Sequence, residues 1–169
     1  MTLDELVTLT RKRLAARLRR VVEPGPLVRA AVLVPLVERG GPHVIFAKRT
    51  DRVGTHRGQI SFPGGTIDPA DRSPLDAALR ESEEEVGLPR AAVEPLGALD
   101  DTETFATQFV ITPWVGVEEA RVVVYRRPRE YRATYYARAE APAAAVEGSL
   151  ARLGAVLGAG PRFLYFWWP

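Results

Sequence analysis

The helix written between Ser73 and Pro89 constrains this chain more than any other stretch. Ser73 offers an N-cap oxygen, Pro74 falls at the first helical position, and Asp76 completes an S-x-x-D capping pattern. Gly87 suits the residue just past the last turn, and Pro89 stops the chain from continuing. The spacing therefore predicts a helix over 73–86. At about 100° per residue, Leu75, Ala78, Leu79, Ser82 and Val86 share one stripe, which packs on a sheet. Glu81, Glu84 and Glu85 share the adjacent stripe, within about 100° of arc, and Glu83 points away from both. Arg80 stands to one side and neutralises only part of their charge.

Like charges three and four apart on a helix cost roughly 0.2–0.5 kcal/mol per pair. Such crowding calls for a counter-charge. Hard divalent cations take oxygen ligands, and Mg²⁺ or Mn²⁺ suits carboxylates. A solvated acidic face would be the preferred reading of an isolated EExE. Here a Gly-Gly turn and a capped helix start stand just upstream, which favours the metal.

The remaining chain supplies a sheet to pack against. The runs at 28–37 and 43–49 look like strands split by the turn RGGP at 39–42. Phe62-Pro63-Gly64-Gly65 ends an extended segment, and a polar loop follows to Arg72. Further strands are expected at 93–99, 109–117, 122–125 and 131–137, with Pro113 implying an edge or a bulge. A helix is expected at 142–157, and the aromatic run at 163–168 reads as a buried strand or core plug. Residues 3–22 read as an amphipathic helix on Leu3, Leu6, Val7, Leu14, Leu18 and Val21. Arg17, Arg19 and Arg20 then fall in its last turns, where cations suit the helix dipole. RKRLAARLRR is either a nucleic-acid or membrane patch or a solvated face. Without interleaved aromatics the solvated face is preferred. Strands mixed with helices imply an α/β or α+β fold of layers.

With 169 residues and 46% hydrophobic content, one domain over 1–169 is expected. A net charge of +2 gives composition no case for a nucleic-acid partner. There is no cysteine, so disulfides, zinc–thiolate sites and a thiol nucleophile are excluded. The start MTLDELVTLT carries acids where a signal peptide needs a basic stretch. Apolar runs such as 30–37 fall short of the ~20 residues of a membrane helix. A cytoplasmic protein without a membrane partner is expected, as a monomer or a homodimer.

GGTIDPADRSPLDAALRESEEEVGL resembles the Nudix box, spanning 65–88, of the Nudix hydrolases. Its REUXEEXGU half is matched at Arg80, Glu81, Glu84, Glu85, Gly87 and Leu88, with Ser82 out of pattern. From Gly65 to Arg80 the spacing is one residue longer than in the common box, and Asp71 replaces the usual glutamate. Upstream, KRTDRVGTHRGQISFPGG looks like the coenzyme A pyrophosphatase subfamily, whose pattern is R-S-x3-R-x3-G-x3-F-P-G-G. Arg49, Gly58, Phe62, Pro63, Gly64 and Gly65 match it. Thr50 replaces the serine and Gly54 the second arginine, with Arg52 a candidate substitute. The resemblance covers about 28–117, and the C-terminal third carries no subfamily landmark.

The resemblance implies a Nudix-type α/β/α sandwich with a mixed central sheet and the box as loop-helix-loop. It implies hydrolysis of a nucleoside diphosphate derivative with Mg²⁺ or Mn²⁺. Glu81, Glu84, Glu85 and the Gly65 carbonyl would hold the metal, and Arg80 would orient the carboxylates. One ligating glutamate, or Glu103 in the loop DDTETFAT, would deprotonate the water. Arg49, Arg57 and Gln59 are the substrate-binding candidates, and His56 is read as structural. The expected substrate is CoA or a derivative, cut to 3′,5′-ADP and 4′-phosphopantetheine. ADP-ribose or another nucleotide sugar is one alternative, and an inactive nucleotide-sensing module another.

Overall fold

The run AAVLVPLV forms the middle of β1 (Val28–Glu38), and every residue from Ala30 to Val37 is buried. A strand covered on both faces reads as a continuous apolar run rather than an alternation. The computed structural model describes residues 1–49, 60–104, 108–118 and 131–138. After β1 come β2 (Pro42–Arg49), β3 (Ile60–Ser61), β4 (Gly64–Thr66), β5 (Val93–Ala98), β6 (Thr102–Thr104), β7 (Phe109–Glu118) and β8 (Tyr131–Arg138). Gly40, with φ 67°, makes the left-handed turn between β1 and β2. The expectations at 122–125, 142–157 and 163–168 lie outside the described residues.

The eight strands form one mixed sheet with the order β3-β2-β1-β7-β5. β4 also pairs with β1, β6 with β7, and β8 with β2. β1 and β7 run parallel, and the other pairs are antiparallel. Helix α1 (Leu3–Ala15) packs Leu3 and Leu6 on Val34, Leu36, Val44 and Val115. Helix α2 (Pro74–Val86) packs Ala77, Ala78 and Val86 on Ala31, Leu33, Val37 and Ile45. Even-numbered and odd-numbered residues of β1 thus serve opposite faces, as pleating requires. The result is an α/β/α sandwich.

Two expectations need correction. Pro113 marks no edge, because β7 is interior, with β1 on one side and β5 and β6 on the other; the bulge alternative fits, since three residues, 99–101, stand opposite two, 112 and 113. The antiparallel neighbour changes at this proline: Ile111 pairs with Thr102 and Trp114 with Ala98. The missing N–H falls where the ladder is already interrupted. Its carbonyl still accepts from Leu99 N at 2.8 Å.

The second correction concerns α1, which ends at Ala15 rather than near residue 22. Its start is secured by a Thr2–Glu5 capping box. The apolar pattern beyond it is deceptive, since Leu18 is 99% exposed and Val21 55%. Arg11 and Lys12 of the basic run are exposed on α1, as a solvated face requires, but the arginines beyond Ala15 are not helical. Arg17 and Arg19 turn inward onto Asp100 and Asp101. Charge-assisted bonds to those carboxylates replace the helical ones that residues 17–22 would otherwise make.

Both ends of α2 form as expected. Asp76 N donates to Ser73 Oγ at 3.1 Å, and Gly87 adopts the left-handed cap with φ 72°. The Asp76 carboxylate reaches the Arg72 N–H at 3.2 Å instead of closing a box on Ser73. Ser73→Ala is expected to cost about 1 kcal/mol, the usual loss for an N-cap side chain. A denaturant titration checks this, and an unchanged midpoint would place the start of the helix elsewhere.

Candidate active site

β4 lies against β1, with Ala31 opposite Gly65 and Val32 opposite Gly64, and α2 passes over both. Gly64 N donates to Glu85 Oε2 at 3.1 Å, and Glu85 is buried. A Cβ on Gly65 would stand 2.6 Å from Glu81 Oε1. The missing Cβ of Gly65 therefore lets the β4 backbone close onto Glu81, while Gly64 N reaches Glu85 one turn on along α2. Glu84 is on the same flank but open, its side chain 60% exposed. Glu83 leaves the group and pairs with Arg90 at 3.3 Å. The helical stripe read from the sequence is thus realised, with Gly64 added as a backbone donor that sequence reasoning had not singled out.

Arg80 does more than stand aside. Its Nε and Nη2 reach the two oxygens of Asp71, each at 3.0 Å. Nη2 also donates to the Thr66 carbonyl at 3.2 Å. Nη1 spans Glu81 at 2.8 Å and Glu84 at 3.4 Å. A planar fork can serve these directions together where a lysine could not. Asp71, noted in the sequence only as a departure from the common box, is the anchor of this fork. Its own signal was there: one carboxylate nine residues before an arginine that four glutamates follow within five residues.

The hydrogen bonds from Arg80 hold the Asp71 carboxyl below its ordinary value of 3.8. The same contact raises Arg80 further above the usual guanidinium range. A lowered folded-state pKa means that the unfolded chain takes up the proton first as pH falls. The Asp71 contribution is therefore present above pH 3.8 and lost as pH drops through the lowered value. Melting curves of the parent and Asp71→Asn should converge in that acid range and separate above it. A constant gap at all pH values would contradict the pairing.

Among the described residues, no three His, Cys, Asp or Glu side chains are already gathered as around a metal ion. The donor chemistry nonetheless fits a hard cation. Glu81, Glu84 and Glu85 offer only oxygens, on one flank, against a backbone that the glycines bring near. Glu103 sits exposed on β6 opposite Val110. Strands β7 and β1 separate it from β4, and three strand spacings amount to about 14 Å. The Arg49 backbone closes β2, but its side chain lies outside the described part, as do His56, Arg57 and Gln59. No described helix is long and apolar enough to cross a membrane.

The NUDIX domain family matches residues 27–147. A protein of Citrobacter koseri named Uncharacterized Nudix hydrolase NudL is 44% identical over 88 residues, 52% of this chain and 45% of that one. Its namesake from Yersinia enterocolitica is 41% identical over 101 residues, 60% and 51% of the two chains. The chain spans about half the length of the curated relatives it matches. Among solved structures, a C. elegans Ap4A hydrolase binary complex is similar with a TM-score of 0.54 and 16% identity, covering 83% of this chain and 94% of that one. The NUDIX domain of Shewanella oneidensis NrtR, complexed with ADP ribose, gives 0.51 and 15%, covering 68% and 77%. At such identities the likeness is one of fold. The matched stretch takes in the whole sheet from β1 to β8 together with the glutamate helix, and the chain belongs to the NUDIX family.

Proposed function

We propose that this domain hydrolyses the diphosphate linkage of a nucleoside diphosphate derivative, with Mg²⁺ or Mn²⁺ held by Glu81, Glu84, Glu85 and the Gly65 carbonyl. The observation that carries this reading is the closing of β4 onto Glu81 and Glu85. A bound divalent cation would neutralise diphosphate oxygens and acidify a bound water. Asp71 fixes Arg80, and Arg80 fixes the carboxylates of Glu81 and Glu84. Such supporting bonds set ligand orientation. One glutamate of the group takes the proton from the attacking water. Glu103 is the alternative base, and its place three strands from β4 weighs against it.

Within that class, we favour coenzyme A or a derivative. Support comes from the segment 49–65 and from the one-residue-longer box. Arg49, Arg57 and Gln59 would then meet the anionic parts of the substrate. ADP-ribose is the second reading, favoured by Gly54 where the subfamily pattern has an arginine. It also has a neighbour in the NrtR domain complexed with that ligand.

Product analysis with CoA, dephospho-CoA and ADP-ribose, under Mg²⁺ and under Mn²⁺, separates the readings. CoA should be cut fastest, to 3′,5′-ADP and 4′-phosphopantetheine. Losing a charge-assisted hydrogen bond costs roughly 1.5–3 kcal/mol. Arg49→Ala should thus lower kcat/KM for CoA by about ten- to a hundredfold. Faster cleavage of ADP-ribose than of CoA would leave the segment 49–65 as a mark of ancestry.

A further inference from the structure

The last arginines of the N-terminal basic run are spent on a buried cluster across β1 from β4. Asp101 is fully buried in the corner between β5 and β6. Its Oδ1 accepts from Arg19 Nη2 and, at 2.7 Å, from Thr112 Oγ1. Its Oδ2 accepts from Val22 N at 3.0 Å. Arg19 Nε donates to the Leu99 carbonyl at 2.8 Å, and Nη2 also reaches Thr112 Oγ1 at 3.3 Å. The backbone joins in: Asp101 N donates to Arg20 O at 3.0 Å, and Arg20 N to Asp100 Oδ1 at 2.9 Å. Arg20 Nη2 adds a bond to the Asp101 carbonyl at 3.1 Å. Residues 19–22 thus run beside the corner like a short extra strand.

β6 itself is weakly held by the sheet. It has three residues and three partners, all on β7: Thr102 with Ile111, Glu103 with Val110, and Thr104 with Phe109. Such a strand has little stability of its own. Thr112 follows the last of those partners and pairs on its other side with Ala31 in β1. The Arg19–Asp101–Thr112 group therefore ties the tail, the root of β6 and the parallel core pair together at one point. These tail residues precede the matched region, which begins at residue 27.

We propose that residues 19–22 are a clamp, with Arg19 and Asp101 at its centre, and that this clamp sets the position of β6 and of the Glu103 carboxylate it carries. Arg17 stands outside the clamp despite its ion pair with Asp100 at 2.8 Å. Its Nε and Nη2 are buried with no hydrogen-bond partner, so desolvation offsets the attraction.

Peptide-resolved hydrogen exchange on the full chain tests this without reference to catalysis. In Arg19→Gln and in Asp101→Asn, exchange over β6 should quicken by about tenfold to a hundredfold, while β1 and α2 stay near the parent. Thr112→Val removes one bond only and should loosen β6 by a smaller factor, which serves if Asp101→Asn fails to fold. Unchanged β6 exchange in Arg19→Gln and Thr112→Val would overturn the clamp. So would a uniform acceleration across the sheet.

Discussion

Glu84→Gln is expected to lower turnover by roughly 10²- to 10³-fold, the scale for removing one preorganised charge from a reacting centre. Glu83→Gln should stay within about threefold of the parent, and neither variant should lose much stability, as exposed substitutions rarely do. The two residues are neighbours of the same type on the same helix, and what differs is direction. Glu83 faces Arg90, at 3.3 Å, whereas Glu84 shares Arg80 with Glu81, at 3.4 and 2.8 Å. Glu84 is the better probe than Glu85, whose buried carboxylate also accepts the Gly64 N–H at 3.1 Å. A Glu85 variant would mix lost chemistry with lost stability. Rates measured across a Mg²⁺ and a Mn²⁺ titration, beside melting curves, make the comparison. Equal losses from Glu83→Gln and Glu84→Gln would remove the directional argument and with it the assignment of the metal flank.

What could be read before any coordinates were known was local. The caps of α2 lie within a few residues of the turns they close, and its stripes follow from 3.6-residue periodicity alone. β1 was legible for a similar reason, since a doubly covered strand leaves an unbroken apolar run. The failures share a cause of the opposite kind. Leu18 and Val21 continue the helical pattern of α1, yet the partners that pull residues 17–22 out of the helix stand about eighty residues on, at Asp100 and Asp101. Pro113 left an edge and a bulge both open, because the choice depends on where β5 hands over to β6, a fact of topology. The Asp71–Arg80 fork fell between these cases. Both residues were in view, but only the turn of the loop onto α2 shows that one carboxylate anchors the arginine that two others share.

The two glycines of β4 should separate stability from activity. A Cβ at Gly64 would meet Ala31 O at 2.4 Å and Val32 Cα at 2.6 Å, both backbone atoms of the central strand. Neither can yield without moving β1, so Gly64→Ala is expected to destabilise by about 2–4 kcal/mol, as overpacking of a rigid site does. For a domain of this size that corresponds to a Tm lower by about 5–15 °C. At Gly65 the added Cβ would meet Glu81 instead, 2.6 Å from Oε1 and 2.7 Å from Cδ. That obstacle is the far end of a flexible side chain, which can swing aside at a stability cost below about 1 kcal/mol. Swinging aside takes Glu81 off the place that Arg80 holds for it at 2.8 Å. A misplacement of about 1 Å in a catalytic group can lower the rate a hundredfold. Gly65→Ala should therefore melt near the parent and hydrolyse its substrate at roughly a hundredth of the rate, while Gly64→Ala should show its main loss in the melting curve. If Gly65→Ala kept full activity, Glu81 would not need its present position, and the closing of β4 onto the glutamates would be a matter of packing alone.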